Sequence, residues 1–348
     1  MTDNVIYEDT LSIIEELKDL LPKISGKTIL ISGGAGFLGR YILEVLNNIN
    51  QRYLKEQCRI IVVDNFITGI KFSIKESKNL ILIERDIKYP LNIDEKIDYI
   101  LHAAGIASPV FYSKYPLETI DVNTLGTKNI LELALDKKVK SIVHFSSSEI
   151  YGDPDPKFIP TPETYNGNVS CTGLRACYDE SKRLAETLCM TYFRKYQLPI
   201  KIVRLFNVYG PGLRKDDGRV VSSFIFNALN KKDIEMFTGN STRAFCYISD
   251  AVIGILRLLF SDLNGEVVNI GNPTEEITIS ELAKKIINKF DNQIKLITHD
   301  AVGVYNKDNP KRRCPDIKKA QNLLGYQPKI NLDQGLDKFI RWAKENWK

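Results

Sequence analysis

The chain contains no apolar run approaching the roughly 18 to 20 residues that cross a bilayer. Met1 is followed by Thr-Asp-Asn rather than by a basic stretch and an apolar core, so no membrane span or secretory leader is expected and the cytoplasm is the expected location. Its six cysteines (Cys58, Cys171, Cys177, Cys189, Cys246 and Cys314) show no paired metal spacing, and a chain of 348 residues needs no cross-links to hold its core. Free thiols and no metal are expected. A long basic run and nucleic-acid motifs are also missing; the net charge of +5, from 48 basic and 43 acidic residues, suits an anionic small molecule as readily as a polyanion. Nucleic acid is not an expected partner. There is no internal repeat and no low-complexity segment. What remains is ordinary globular composition, 43% apolar and 26% charged, at a length that fits one large or two interlocked domains.

Residues 7–21 place Leu11, Ile13, Ile14, Leu17, Leu20 and Leu21 at near-helical spacing, which predicts an amphipathic helical extension over residues 1–25, lying on the domain surface or on a partner subunit. After Gly26 the pattern changes to short β-branched runs at 28–32, 59–64, 80–84, 99–103, 141–146, 201–206 and 267–271. Most are continuously apolar, as strands buried on both faces must be. Helical stretches at 37–47, 117–137 and 178–196 separate several of them, giving the βαβ rhythm of an α/β fold, a Rossmann-type doubly wound parallel sheet. Residues 26–206 are expected to form that domain, with 250–272 returning to it. Residues 207–348 are expected to form mainly a smaller C-terminal lobe, with helices near 220–230, 250–260, 279–290 and 333–346. The connection 152–177 carries Pro154, Pro156, Pro160 and Pro162, and a loop of that length points to function.

Directly after the first strand comes Gly33-Gly34-Ala35-Gly36-Phe37-Leu38-Gly39, which fits GxxGxxG through Gly33, Gly36 and Gly39 and GxGxxG through Gly34, Gly36 and Gly39. Either reading gives a tight turn, close backbone approach to a pyrophosphate and a helix N-terminus whose free N–H groups face the anion, with Phe37 and Leu38 opening that helix. The second strand ends at Asp64-Asn65, where a carboxylate accepts ribose hydroxyls and repels a 2′-phosphate, favouring NAD over NADP. Asp86-Ile87, after the third strand, is placed to bracket the adenine. Tyr178 and Lys182 stand at i and i+4 on one helix face, downstream of Ser146-Ser147-Ser148-Glu149. An ammonium and a serine beside a phenol support proton removal from a hydroxyl while hydride leaves the same carbon for nicotinamide.

Taken together, these stretches resemble the extended short-chain dehydrogenase/reductases that act on nucleotide sugars, the NAD-dependent epimerase/dehydratase family, from about Lys27 to the C-terminus. Within it the match is to the UDP-glucuronate decarboxylase (UDP-xylose-forming) branch, carried by Ser148-Glu149-Ile150-Tyr151-Gly152-Asp153-Pro154, Gly173-Leu174-Arg175-Ala176-Cys177-Tyr178-Asp179-Glu180 and Asp217-Gly218-Arg219-Val220-Val221. Thr242-Arg243-Ala244-Phe245 and Pro315-Asp316-Ile317-Lys318-Lys319-Ala320 extend it. Departures are Cys314 where the branch has Lys, Ser147 where it often has Thr, and Gly105-Ile106-Ala107 in a segment usually richer in Ser and Pro.

The resemblance implies that His102, Ala103 and Ala104 line the cofactor and that Asn123 belongs to an Asn-x-x-Gly-Thr helix start. It also implies that Ser147, Tyr178 and Lys182 are catalytic, with Glu149 and Arg313 managing the intermediate. Asn207, Arg219 and Arg243 would hold the nucleotide sugar, and the protein would pair into a homodimer through helices near Leu117 and Tyr178. The implied reaction is NAD-dependent decarboxylation of UDP-glucuronate to UDP-xylose through a 4-ketone. A 4-epimerase or a 4,6-dehydratase would use the same oxidation; a non-catalytic NAD-binding interaction protein is the rival from another class.

Overall fold

Seven short runs rich in Ile and Val become one parallel sheet in the computed structural model, which describes residues 4–70, 77–237, 241–290, 294–299 and 310–347. The strands are β1 (Thr28–Ser32), β2 (Arg59–Asp64), β3 (Leu80–Glu84), β4 (Tyr99–His102), β5 (Ser141–Ser147), β6 (Ile200–Leu205) and β7 (Glu266–Ile270), in the order β7-β6-β5-β4-β1-β2-β3. β1 pairs with both β2 and β4, so the strand order reverses between β1 and β4. In such sheets the crevice beyond the carboxyl ends at that reversal is the place for a ligand. The loops after β1, β4 and β5, which carry the glycine string, Ala103-Ala104 and Ser147-Glu149, all open there.

Helices cover both faces. The helix Phe37–Arg52 buries Ile42, Val45, Leu46 and Ile49 at helical spacing against one face. The other face takes Thr127–Asp136 and Ala176–Tyr196, whose Ile130, Leu131 and Cys189 pack with Leu30, Ile100 and Ile142 of the strands. The stretch read as one helix over 117–137 is broken into Pro116–Asp121, a wide π-type turn at Val122–Gly126, and Thr127–Asp136. That turn brings the Asn123 side chain to Ser181 of the neighbouring helix.

The N-terminal extension packs on the domain as an amphipathic helix: Val5, Ile13, Ile14 and Leu17 are fully buried in the main core, while Asn4, Glu8, Ser12 and Glu15 are exposed. Its helix, Asn4–Glu16, meets Phe37–Arg52, Ile248–Phe260 and Leu332–Asn346. Asp9, also buried, accepts hydrogen bonds from Tyr41 and, at 2.5 Å each, from Tyr247 Oη and Lys338 Nζ. One carboxylate thus ties three helices to the short strand Cys246–Tyr247, and the donors around it offset the cost of burying an acid.

Beyond β6 the chain builds a smaller lobe with a three-stranded sheet of Thr242–Ala244, Glu276–Thr278 and Arg312–Arg313. Ile248–Phe260 and β7 return to the large sheet, where β7 pairs with β6. The proline-rich connection 152–175 joins the two parts: Thr161 N–H donates to the Cys314 carbonyl at 2.8 Å, and the Thr161 carbonyl accepts from Asp316 N–H at 3.0 Å. The strand that carries Arg313 is held by this loop.

Candidate active site

Two adjoining cavities lie along the glycine string. One is lined by Gly33, Gly36, Asp64, Asn65, Asp86, Ile87, Ala103 and Ala104, the other by Gly33, Gly36, Phe37, Leu38, Gly39 and the loop around Arg214. Gly33 has φ of +76°, and a Cβ there would stand 2.6 Å from the Ala104 backbone, so the turn tolerates only glycine. Asp64 accepts from Ala35 N–H at 2.9 Å and from Phe66 N–H at 2.8 Å while facing the first cavity, so one carboxylate both shapes the turn and presents charge to a ribose. Burial raises its pKa, against the lowering by these N–H groups. Asn65 Nδ2 donates to Asp86 at 3.1 Å, linking the ends of β2 and β3. A glycine cradle at a helix N-terminus, flanked by a ribose-reading carboxylate, fits a dinucleotide.

Two residues expected at the cofactor, His102 and Asn123, line none of the site's three cavities. His102 is buried under the sheet edge, bonded to Ser32 Oγ at 2.7 Å and Thr127 Oγ1 at 3.0 Å. As the last strand residue of β4 it points into the helix layer, and burial followed by Lys182 lowers its pKa to about 3. Asn123 is fully buried and its Oδ1 has no hydrogen-bond partner. That oxygen and Lys182 Nζ lie 3.1 and 3.2 Å from the point where a Cβ at Gly105 would stand. Asn123 therefore supports the lysine side of the site.

A third cavity, of about 420 Å³, opens between the sheet and the smaller lobe and includes Tyr178, Glu149, Asn207, Arg219, Arg243 and Arg313 in its wall. Tyr178 stacks on Tyr112 with ring centroids 5.3 Å apart and hydrogen-bonds Ser147. Lys182 Nζ donates to the Phe145 carbonyl at 2.7 Å, and burial lowers its pKa to about 8. Burial raises Tyr178 to about 12, partly opposed by Ser147. In the chain alone the phenol is protonated at neutral pH.

Glu149 follows Ser147, whose Oγ caps the turn by accepting from Glu149 N–H at 3.2 Å. Its Oε2 receives Arg175 Nη2 and, at 2.5 Å, Arg313 Nη2. Burial alone would raise the Glu149 pKa; Arg175, Arg313 and Arg243 together hold it below the ordinary value. Arg243 and Arg313 are register partners on adjacent strands, and burial with Arg313 nearby pulls the Arg243 pKa down. Arg175 lines this cavity and is not singled out in the sequence; its place three residues before Tyr178, inside a motif of the resemblance, is the signal that points to it. It also pairs with Asp179 at 3.5 Å, whose pKa is raised to about 7 by burial and then by Glu149.

Asn207 has φ of +42° and donates Nδ2–H to the Ala244 carbonyl at 2.9 Å, tying β6 to the lobe. Arg219 pairs with Asp217, lies 5.4 Å over the Phe37 ring and borders the second and third cavities, so it faces cofactor and substrate positions alike. Among the described residues no cluster of His, Cys, Asp and Glu suits a metal, and no helix is long and apolar enough to cross a membrane.

The sequence model of the NAD dependent epimerase/dehydratase family matches residues 29–271. The chain is 43% identical over 319 residues to UDP-glucuronic acid decarboxylase 5 of Arabidopsis thaliana, covering 90% of this chain and 88% of that protein. It is 39% identical over 326 residues to UDP-glucuronic acid decarboxylase 1 of Xenopus tropicalis, covering 92% and 72%. Among solved structures it is similar to the epimerase Mth375 of Methanothermobacter thermautotrophicus, with a TM-score of 0.81, 27% identity and 96% of each chain covered.

Proposed function

The chain belongs to the NAD-dependent epimerase/dehydratase family, and from that premise we propose that it converts UDP-glucuronate to UDP-xylose and carbon dioxide with no net redox change. The observation that carries this reading is Glu149 held by Arg175 and Arg313, with Arg243 beside them, in the same cavity as Tyr178. The two guanidiniums on Glu149 outnumber its single charge and suit a further anion, which a uronic acid supplies and a neutral hexose does not.

Gly33, Gly36, Gly39 and Asp64 would hold NAD, which would supply a reversible hydride acceptor for the sugar C4. Tyr178, which burial keeps protonated in the chain alone, would accept the C4 hydroxyl proton as a phenolate once the positive charge of the cofactor is present, with Ser147 opposing the burial and Lys182 adding a cation on the same helix face. The resulting 4-ketone is β to the C5 carboxylate. The C5–carboxylate bond then breaks, carbon dioxide leaves, and the electron pair enters an enolate whose charge Arg313 and its neighbours balance. A proton from solvent at C5 restores a ketone while Glu149, itself ionised, keeps the guanidiniums in place, and Tyr178 returns its proton to the C4 oxygen on reduction. Arg219 and Arg243 hold the diphosphate, and Asn207 keeps the lobe in register with β6.

Two finer readings belong with this one. A cytoplasmic location is supported by six free cysteines. A homodimer is supported by exposed Leu117, Ile120, Leu125 and Leu184 on the adjacent segments 116–126 and 176–196, an apolar stripe suited to helix pairing. Light scattering at micromolar concentration distinguishes dimer from monomer. The reaction itself is tested with UDP-glucuronate labelled at C6 in the presence of NAD: labelled carbon dioxide and a UDP-pentose without accumulating NADH are expected. A six-carbon 4-epimer with the label retained overturns the assignment.

A further inference from the structure

Arg40 stands one residue beyond the third glycine, in the first turn of Phe37–Arg52, and lines the second cofactor cavity with Gly33 and Gly36. Its guanidinium donates one hydrogen bond, to the Gly212 carbonyl. Its Nε is buried without a hydrogen-bond partner, and among the described residues no carboxylate pairs with it. Burial, and then the nearby Arg214, pull its pKa down. Arg214 is itself spoken for, paired with Asp216 at 2.6 Å and reaching the Thr68 carbonyl at 3.3 Å. A half-buried cation whose Nε is buried and unpartnered, with no carboxylate partner among the described residues and a helix N-terminus beside it, is costly as it stands and well suited to an anion.

We propose that Arg40, whose charge no carboxylate offsets, clamps the pyrophosphate of the bound dinucleotide against the glycine cradle. The adenosine is neutral and the nicotinamide ring is cationic in NAD, so the pyrophosphate is the group that matches. The proposal rests on NAD as cofactor and adds a guanidinium from outside the glycine string. It also links two cavities. The loop 210–219 is fastened to the cofactor side by Arg40 at Gly212, by Ser108 at the Asp217 carbonyl and by Arg219 over Phe37. The same loop offers Leu213, Gly218 and Arg219 to the third cavity. An anion seated against Arg40 therefore steadies a wall of the substrate site.

The test is calorimetric titration of wild type, Arg40→Gln and Arg40→Lys with NAD, ADP-ribose and adenosine, together with melting of each ligand-free protein. Arg40→Gln should lose about tenfold or more in affinity for NAD and for ADP-ribose, the scale of a charge-assisted hydrogen bond, with adenosine affinity unchanged. Its ligand-free melting temperature should be no lower than wild type, because an uncompensated, half-buried cation has been removed. Unchanged affinity for NAD and ADP-ribose, or an equal loss for adenosine, overturns the clamp. Should Arg40→Gln not fold, Arg40→Lys decides alone: it keeps a charge without the fork, so a loss confined to NAD and ADP-ribose supports the clamp and any other pattern refutes it. None of these readings depends on which sugar is turned over.

Discussion

Arg175 and Arg313, one at the start of the helix that carries Tyr178 and the other on a strand of the smaller lobe, direct their Nη2 atoms to the same oxygen of Glu149. Neither arginine is near the other in sequence, and each is buried. The pair holds the carboxylate ionised in a site where burial would otherwise protonate it.

Removing one of the two cations should expose the step after oxidation. Arg313→Ala is expected to accumulate or release a 4-keto sugar nucleotide, visible by mass spectrometry in single-turnover reactions, since the enolate loses its balancing charge. A uniform slowing with no keto species would show that Arg313 only binds substrate.

Tyr178→Phe should lower turnover by about 10² to 10⁴, the usual worth of a positioned acid–base group, while UDP-glucuronate still binds. The ring stack on Tyr112 survives this change, so near-normal turnover would remove the phenol from the chemistry rather than reveal a packing effect.

For Asp64→Asn, NAD affinity is expected to fall by about 1.5 to 3 kcal/mol, one hydrogen bond to a charged group. Asn can accept from only one of the two N–H groups, Ala35 and Phe66, that Asp64 serves with separate oxygens, so a melting measurement on the variant separates a loosened turn from the lost ribose contact. Tighter binding of NADP than of NAD by the native protein would contradict the role given to this carboxylate.

Asp179 offers a pH test with a definite sign. Its pKa is raised from 3.8 to about 7 on folding, first by burial and then by Glu149. Between those values the folded state binds the extra proton, so this group's contribution to stability declines as pH rises from about 4 to about 7. Asp179→Asn should therefore gain on wild type over that interval, by as much as about 1.4 kcal/mol for every tenfold difference in proton affinity between the folded and unfolded chain. Denaturant midpoints measured from pH 4 to pH 8 would give two parallel curves if Asp179 were not the titrating group.

The sheet, the glycine string and the Tyr178–Lys182 pair are legible in the sequence because each is local: apolar runs of strand length, glycines at fixed intervals and two side chains one helical turn apart. His102 is misplaced by the same locality. It adjoins Ala103 and Ala104 in sequence, yet the final residue of β4 faces the helix layer while the next two cross the strand end. Arg175 and Arg40 are silent in the sequence because their meaning is set by distant partners, Glu149 with Arg313 in one case and Gly212 in the other. Likewise the hydrophobic spacing of the first helix shows that it has an apolar face, but not that Tyr41, Tyr247 and Lys338 meet its Asp9.

That meeting has a temporal side. During synthesis Asp9 emerges before Tyr41, Tyr41 before Tyr247, and Lys338 after all three. Until then the helix Asn4–Glu16 can dock only with a buried acid lacking its cation, a costly state. The first helix should therefore remain loose on the nascent chain and settle only when Leu332–Asn346 arrives, making its docking a late event in folding.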